Sequence, residues 1–356
     1  HGGDLIRMMG CKAADHNSVT MHALNRGKKS VGLDFRSPDP SVRDQLWELV
    51  QQADVVVEGF VPGVFWKVLQ LTPQELRVRC PHLILCHISA AGQQGPLASQ
   101  PMHDMNALAD SGAMSVMPTS RLGNLPVPFV DYSSGYTACI MILAALRHRD
   151  KTGEGSVLDI SMVDCARAMT LTVRSVAAFR GEEEEDGRNI LAGSVPCYSV
   201  YPTKDGHLAC GCLEPHFWHR FVHLIGAPEE LASQGLVQGD ASKEVKEQIS
   251  KVLASQSARD WAKLCLDANL PVNEIVSISR AENASSIVTS SAQGTQPLFV
   301  EVHSPDGKEE NVTRIPVPPN GLCANGQHLQ ILSPGPSLGS ANTLLGQGAD
   351  KLWAKL

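Results

Sequence analysis

Residues 54–60 read DVVVEGF, and residues 82–89 read HLILCHIS. Both are short runs of β-branched and aliphatic residues with almost no polar alternation. A strand covered on both faces reads this way, whereas a strand with one wet face alternates. Between them lies TPQELRVRC (72–80), which opens as a helix with Thr72 as N-cap and Pro73 at the first helical position. Upstream, SVRDQLWELVQQA (41–53) carries apolar residues at helical spacing, with Ser41 able to cap its start. KKSVGLDF (28–35) reads as a further short strand. Strand, helix, strand, helix, strand predicts a doubly wound α/β layer on a parallel sheet.

Downstream, YSSGYTACIMILAALRHRD (132–150) reads as a strongly apolar helix that closes on basic residues. GSVLDISMVDCARAM (155–169) reads as strand, turn and helix. The acidic run RGEEEEDGRN (180–189) is expected to be a solvated linker. CYSVYPTKDGHLACGC (197–212) alternates around Asp205-Gly206, a hairpin signature, and EPHFWHRFVHLIG (214–226) starts a helix. The expected organisation is a large α/β domain over 1–180, a linker over 181–195 and a smaller α+β domain over 196–282. A second linker over 283–300 follows, then a C-terminal segment over 301–356 that returns to the large domain.

Composition narrows the function. The chain has 356 residues, 43% hydrophobic and 19% charged, with a net charge of −7 and no long basic block. Nucleic-acid binding, which needs a clustered positive surface, is not expected. Ten cysteines are scattered without zinc-ligand spacing and read as reduced, mostly buried thiols of an intracellular protein. No run of about 18 apolar residues is present, so no membrane span is expected. No metal and no cofactor is expected. The chain enters on HGGDLIRMMG, which reads as the middle of a longer protein, so a preceding segment is expected.

Three acid/base candidates stand at element boundaries. His103 precedes a helix in QPMHDMNALADSG (100–112), Asp131 precedes the long apolar helix, and Glu214 follows the hairpin ahead of Pro215. Each also has a structural reading, as a packed histidine, an N-cap and a helix-start carboxylate respectively. Arg26, Lys28 and Lys29 form a basic turn that can hold a phosphate or simply face water. GFVPG (59–63), with Gly59, Pro62 and Gly63, and AAGQQGP (90–96), with Gly92, sit where open α/β sheets bind ligands. Neither matches GxGxxG or a P-loop, which disfavours nicotinamide binding and nucleotide hydrolysis. Met102, Met105, Met114 and Met117 surround the His103 segment and suit either core packing or a soft acyl-binding surface.

The order NRGKKSVGLDF, ADVVVEGFVPGV, LQLTPQEL, PHLILCHISAAGQQGP, MHDMNALADSG, VDYSSGYTACIMILAAL and KTGEGSVLDISMVDCA resembles the family III CoA-transferase (CaiB/BaiF) superfamily over almost the whole chain. The resemblance implies a Rossmann-like large domain with a smaller α+β domain, an interlocked homodimer and acyl-CoA thioester substrates. It also implies that Asp131 occupies the position of the aspartate that carries acyl groups in the transferases. The α-methylacyl-CoA racemase branch adds a histidine in Gly-His-Asp-x-Asn and a glutamate in Glu-Pro-Gln-Phe. This chain has Met102-His103-Asp104-Met105-Asn106 and Glu214-Pro215-His216-Phe217. Three positions depart from the branch: Met102 replaces a glycine, Tyr132-Ser133-Ser134-Gly135 replaces a glycine-rich turn, and His87 stands where an arginine is common.

The resemblance implies racemisation of 2-methylacyl-CoA thioesters in branched-chain fatty acid breakdown, with CoA transfer through Asp131 as the alternative. Racemisation next to a thioester removes a weakly acidic proton and returns one to the opposite face, which asks for two bases. His103 and Asp131 are the expected pair. Glu214 is expected to hydrogen-bond His103, and burial to raise the Asp131 pKa. Asp104 is expected to cap its own helix and steady His103. Helix N-terminal N–H groups are expected to receive the enolate oxygen, and Arg26, Lys28 and Lys29 the CoA phosphates. The last residues, Ala354-Lys355-Leu356, resemble a peroxisomal address, with mitochondrion or cytoplasm as the alternatives.

Overall fold

The computed structural model describes residues 3–116, 126–181, 189–278, 280, 299–303 and 312–316. Two helices precede the first strand: α1 (Val19–Leu24) and α2 (Pro40–Gln52). The Ser18 hydroxyl caps α1 by accepting from the Met21 N–H. Helix α2 begins one residue before the expected start, and its end is tied by Asp39, whose carboxylate accepts the Ser41 N–H at 2.9 Å. Ser41 is therefore inside the helix and not its cap. Residues 28–35 form no strand. Ser30 is instead buried against Arg7, which donates to its hydroxyl at 3.2 Å and to Asn17 at 3.0 Å.

The parallel layer follows. Strand β1 (Val55–Glu58) leads through α3 (Val64–Leu69) and α4 (Pro73–Arg79) to β2 (Ile84–Ser89). Thr72 and Glu75 form a reciprocal capping box at the start of α4, as the sequence predicts. Helices α5 (Asp104–Asp110) and α6 (Phe129–Thr152) then lead to β3 (Ser156–Ser161), which runs directly into α7 (Met162–Met169) and α8 (Leu171–Arg180). The sheet order is β1-β2-β3, all parallel, with Glu58 level with His87 and His87 level with Asp159. Ile84, Leu85 and Cys86 are almost fully buried, as the unbroken apolar run requires.

A smaller antiparallel sheet follows, with β4 (Tyr198–Pro202), β5 (His207–Gly211) and β6 (Val272–Glu274) in that order. Helices α9 (Pro215–Leu224), α10 (Gly239–Leu253) and α11 (Ala258–Asp267) supply its helical layer. Its core holds Tyr201, Trp218, Phe221, Ile249 and Trp261. The polar tips of its buried Tyr201, Trp218 and Trp261 are satisfied. The Tyr201 hydroxyl donates to Pro196 O at 2.6 Å, and the indoles of Trp218 and Trp261 donate to Leu231 O and Leu253 O. A last hairpin pairs β7 (Phe299–His303) with β8 (Val312–Pro316), and α1 lies against it.

By contact the chain divides into residues 1–52 with 276–356, and residues 53–275. Nine cysteines are free, seven of them buried, among the described residues. The 24-residue α6 has a stretch with mean hydropathy 1.4, so by length and composition it could cross a membrane, contrary to the expectation that no such stretch exists. It packs on β2, β3, α5 and α7, the setting of a layer helix in an α/β fold. Residues 354–356, Met117 and most of the expected linkers and C-terminal segment lie outside the described residues.

Candidate active site

The site is built where α5, α6 and α7 meet. His103 is the N-cap of α5, with extended backbone. Asn106 reaches back to accept the His103 N–H at 3.1 Å, which fixes the entry of the chain into the helix. The imidazole itself is exposed.

Asp104 does something the sequence did not suggest. It opens α5 but caps α6: its Oδ1 accepts the N–H of Val130 at 2.6 Å and of Asp131 at 3.0 Å. These N–H groups have no partner within their own helix, so a carboxylate there satisfies them and complements the helix dipole. Helix α6 begins at Phe129, which places Asp131 in its first turn and not ahead of it. The same bonds draw His103 to Asp131, because His103 and Asp104 are neighbours.

The Asp131 carboxyl reaches solvent, yet the surrounding protein withdraws enough water to raise its pKa. The negative charge of Asp104 raises it further, and His103 acts in the opposite direction. Tyr132-Ser133-Ser134-Gly135 is not a turn. All four residues are helical, and the buried hydroxyls of Ser133 and Ser134 donate to Val130 O at 3.0 and 2.7 Å. Met102 packs on the small core formed by Ala107, Leu108, Val130 and Val163. Met114 packs on the same core, while Met105 is exposed. This methionine group thus serves the core at two positions and leaves one free.

Glu214 is the N-cap of α9 and exposed, with no side-chain capping bond. Among the described residues no hydrogen bond or ion pair joins it to His103. Arg26 donates to Ala23 O at 2.9 Å, Lys28 to Asn25 Oδ1 at 2.9 Å, and Lys29 is exposed.

The ligand-facing ends of the strands carry further order. Gly63 (φ +87°) is the N-cap of α3, and Gly92 (φ +86°) turns in front of the Asp159 carboxylate. Both positions suit glycine because a side chain strains that backbone. Asp159 accepts the Gln93 N–H at 2.9 Å and so holds the 90–96 loop to β3. Gly59 follows Glu58, whose Oε2 accepts the Phe60 N–H at 2.8 Å, and half-buried Pro62 comes next in this loop. The other Glu58 oxygen pairs with His87 Nδ1, both side chains being almost fully buried. His87 packs beside Phe65 and Trp66, with ring centroids 6.3 and 5.7 Å away. A cleft of about 620 Å³ opens beside the loop, lined by Gly92, Gln94, Thr137, Asp159, Ser161 and Asp164. Asp159 and Glu58 were not singled out from sequence, although each is the one carboxylate inside an apolar strand.

A profile of CoA-transferase family III matches residues 1–342. The chain belongs to CoA-transferase family III. It is 31% identical over 287 residues to α-methylacyl-CoA racemase of Homo sapiens, covering 77% of this chain and 73% of the relative. It is 29% identical over 290 residues to acetyl-CoA:oxalate CoA-transferase of Acetobacter aceti, covering 79% and 73%. Among solved structures it is similar to a variant of Rv3272 from Mycobacterium tuberculosis, with a TM-score of 0.76, 24% identity and coverage of 97% and 88%. A CAIB/BAIF family protein from Brucella suis superposes with a TM-score of 0.75 at 21% identity, covering 96% and 88%. The expected fold, an α/β layer with a smaller mixed domain, is therefore the family fold, and acyl-CoA substrates fit the family.

Proposed function

We propose that this family III protein racemises 2-methylacyl-CoA thioesters in branched-chain fatty acid breakdown. The observation that carries the reading is the Asp104 bridge, which brings a histidine and an aspartate of raised pKa to one place. Neutral His103 removes the α-proton, and the C–H electron pair moves into the thioester carbonyl to give the enolate. Protonated Asp131 returns a proton to the opposite face as the carbonyl re-forms. The products are the opposite epimer, protonated His103 and ionised Asp131, and the reverse reaction restores the start. Asp104 occupies the first N–H groups of α6, so the enolate oxygen cannot use those. Among the described residues the N–H groups of Asp104 and Met105, at the start of α5, carry no hydrogen bond, and they are the donors assigned here.

Arg26, Lys28 and Lys29 are assigned to the CoA phosphates, and Gly59, Pro62, Gly63 and Gly92 to its passage along the strand ends. The working form is taken to be an interlocked homodimer. Helix α6 supports this with an exposed stripe of Phe129, Tyr132, Tyr136, Ile140 and Leu143 at helical spacing. Glu214 is assigned to orient a histidine within that dimer. Peroxisomal residence, by Ala354-Lys355-Leu356, agrees with branched-chain breakdown.

A second reading is CoA transfer through a covalent Asp131. It is favoured by the missing bond between Glu214 and His103 and by the transferases among the relatives. One experiment separates the two. The protein is incubated with an (R)-2-methylacyl-CoA in deuterated water, alone and with a free carboxylic acid. Racemisation predicts α-deuterium in both samples and its loss in His103→Ala. Transfer predicts a new thioester, hydroxylamine trapping at Asp131 and little effect of His103→Ala. No deuterium from the folded protein would sink the first reading.

A further inference from the structure

We infer that α9 and the turn after it form a surface site for a divalent transition-metal ion, held by His219, His223 and Glu229. The two histidines are one helical turn apart, so both leave the same face of α9. Glu229 opens the 3-10 turn Glu229–Ser233, which folds back on that face. Its Oε1 lies 3.8 Å from His219 Nε2, and its Oε2 lies 3.1 Å from His223 Nδ1. The two rings are 4.5 Å apart between centroids. One donor atom from each residue falls within 4.8 Å of the others.

Bonds of about 2.0–2.1 Å in a tetrahedral site place donors roughly 3.4 Å apart. The observed separations bracket that value. All three side chains are about half exposed or more, so small torsional changes close the set without disturbing the core. The backbone beneath them is held firmly. Trp218, next to His219, sends its indole N–H inward to Leu231 O at 2.8 Å, and Leu231 is almost fully buried. The loop between helix and turn is closed by the Ala227 N–H on Val222 O at 3.1 Å. The outward donors therefore sit on a preformed frame, which lowers the ordering cost of binding.

Two imidazoles and one carboxylate select zinc, nickel, cobalt or copper over calcium and magnesium, which prefer all-oxygen shells. Water would complete the coordination, since the outer side is open. None of the three residues has a part in the acyl chemistry proposed above. The site lies on the helix that begins after Glu214, so a bound ion would brace α9 against the 3-10 turn.

The test is calorimetric titration of the intact protein with Ni²⁺ and with Zn²⁺, compared with Glu229→Gln and with the double variant His219→Ala/His223→Ala. A one-to-one site is expected in the parent. Losing any donor should weaken it by more than about tenfold, since even an outer partner of a ligand is worth about 10–100-fold. Hydrogen exchange gives a second readout: Zn²⁺ should slow exchange across residues 215–233 in the parent and not in the double variant. Titrations that superimpose for parent and double variant would overturn the site and assign metal uptake to other groups, such as the exposed Cys11 and Cys139. Equal exchange with and without metal in the parent would overturn it as well.

Discussion

The carboxylate of Asp104 caps the helix of Asp131, accepting the Asp131 N–H at 3.0 Å across 27 residues of sequence. One side chain thereby holds two helix starts together and places its neighbour His103 within electrostatic reach of Asp131. Removing such a cap costs about 0.5–2 kcal/mol. Asp104→Ala should lower stability by that amount in urea unfolding and reduce turnover by loosening the pair.

The same contact sets a charge. Asp104 raises the Asp131 pKa, so Asp104→Asn, which keeps an acceptor oxygen, should let it fall toward the ordinary aspartate value. A carbon-detected NMR titration of Asp131 would show the drop. An unchanged midpoint would mean that water exclusion alone raises it.

Asp131 also ties stability to pH. Its folded pKa lies above the ordinary 3.8, so between those values the folded chain holds a proton that the unfolded chain has lost. Its contribution therefore falls as pH rises through that window, and the penalty is full above it. Asp131→Asn removes the penalty. Thermal melts should show the variant and parent level at the acid end and the variant more stable at neutral pH, although proton exchange is lost.

Glu58 and His87 form a buried pair in which neither side chain reaches water. Truncating one strands the other, which typically costs about 3–5 kcal/mol. His87→Ala should cause a loss of this size in urea unfolding. It should also disorder the Gly59–Gly63 loop, because Glu58 holds the Phe60 N–H.

Gly155 precedes β3, where a Cβ would sit 2.0 Å from Leu83 O. That is a collision with backbone at the N-terminal end of the β2–β3 pair. Gly155→Ala should destabilise by at least the ~1–3 kcal/mol of ordinary overpacking. Gly112→Ala is a useful comparison: it meets no atom within 4 Å, and its cost is only that of a positive φ.

The apolar runs at 54–60 and 82–89, Thr72-Pro73 and Asp205-Gly206 made the parallel layer and the β4–β5 hairpin legible in the sequence. Each rests on local physics: burial on both faces, helix capping and turn geometry. The strand expected at 28–35 does not form; Ser30 there is buried and its hydroxyl accepts from Arg7, a contact across 23 residues that no local pattern announces. Ser41 failed as a cap because Asp39, two residues earlier, is a stronger acceptor at the same helix start. His103, Asp131 and Glu214 were also visible as candidates, by type and position.

What the sequence determined by itself was the sequence of elements and the residue types available for proton transfer. What only the tertiary structure decided was which of them meet. Asp104 lies at the start of α5, and nothing local says that its carboxylate serves α6, because the bond closes a loop of 27 residues. Glu58 and His87 become a pair only through the register of β1 and β2. Long-range geometry of this kind depends on how helices and strands pack, and packing is a property of the whole chain rather than of any window along it.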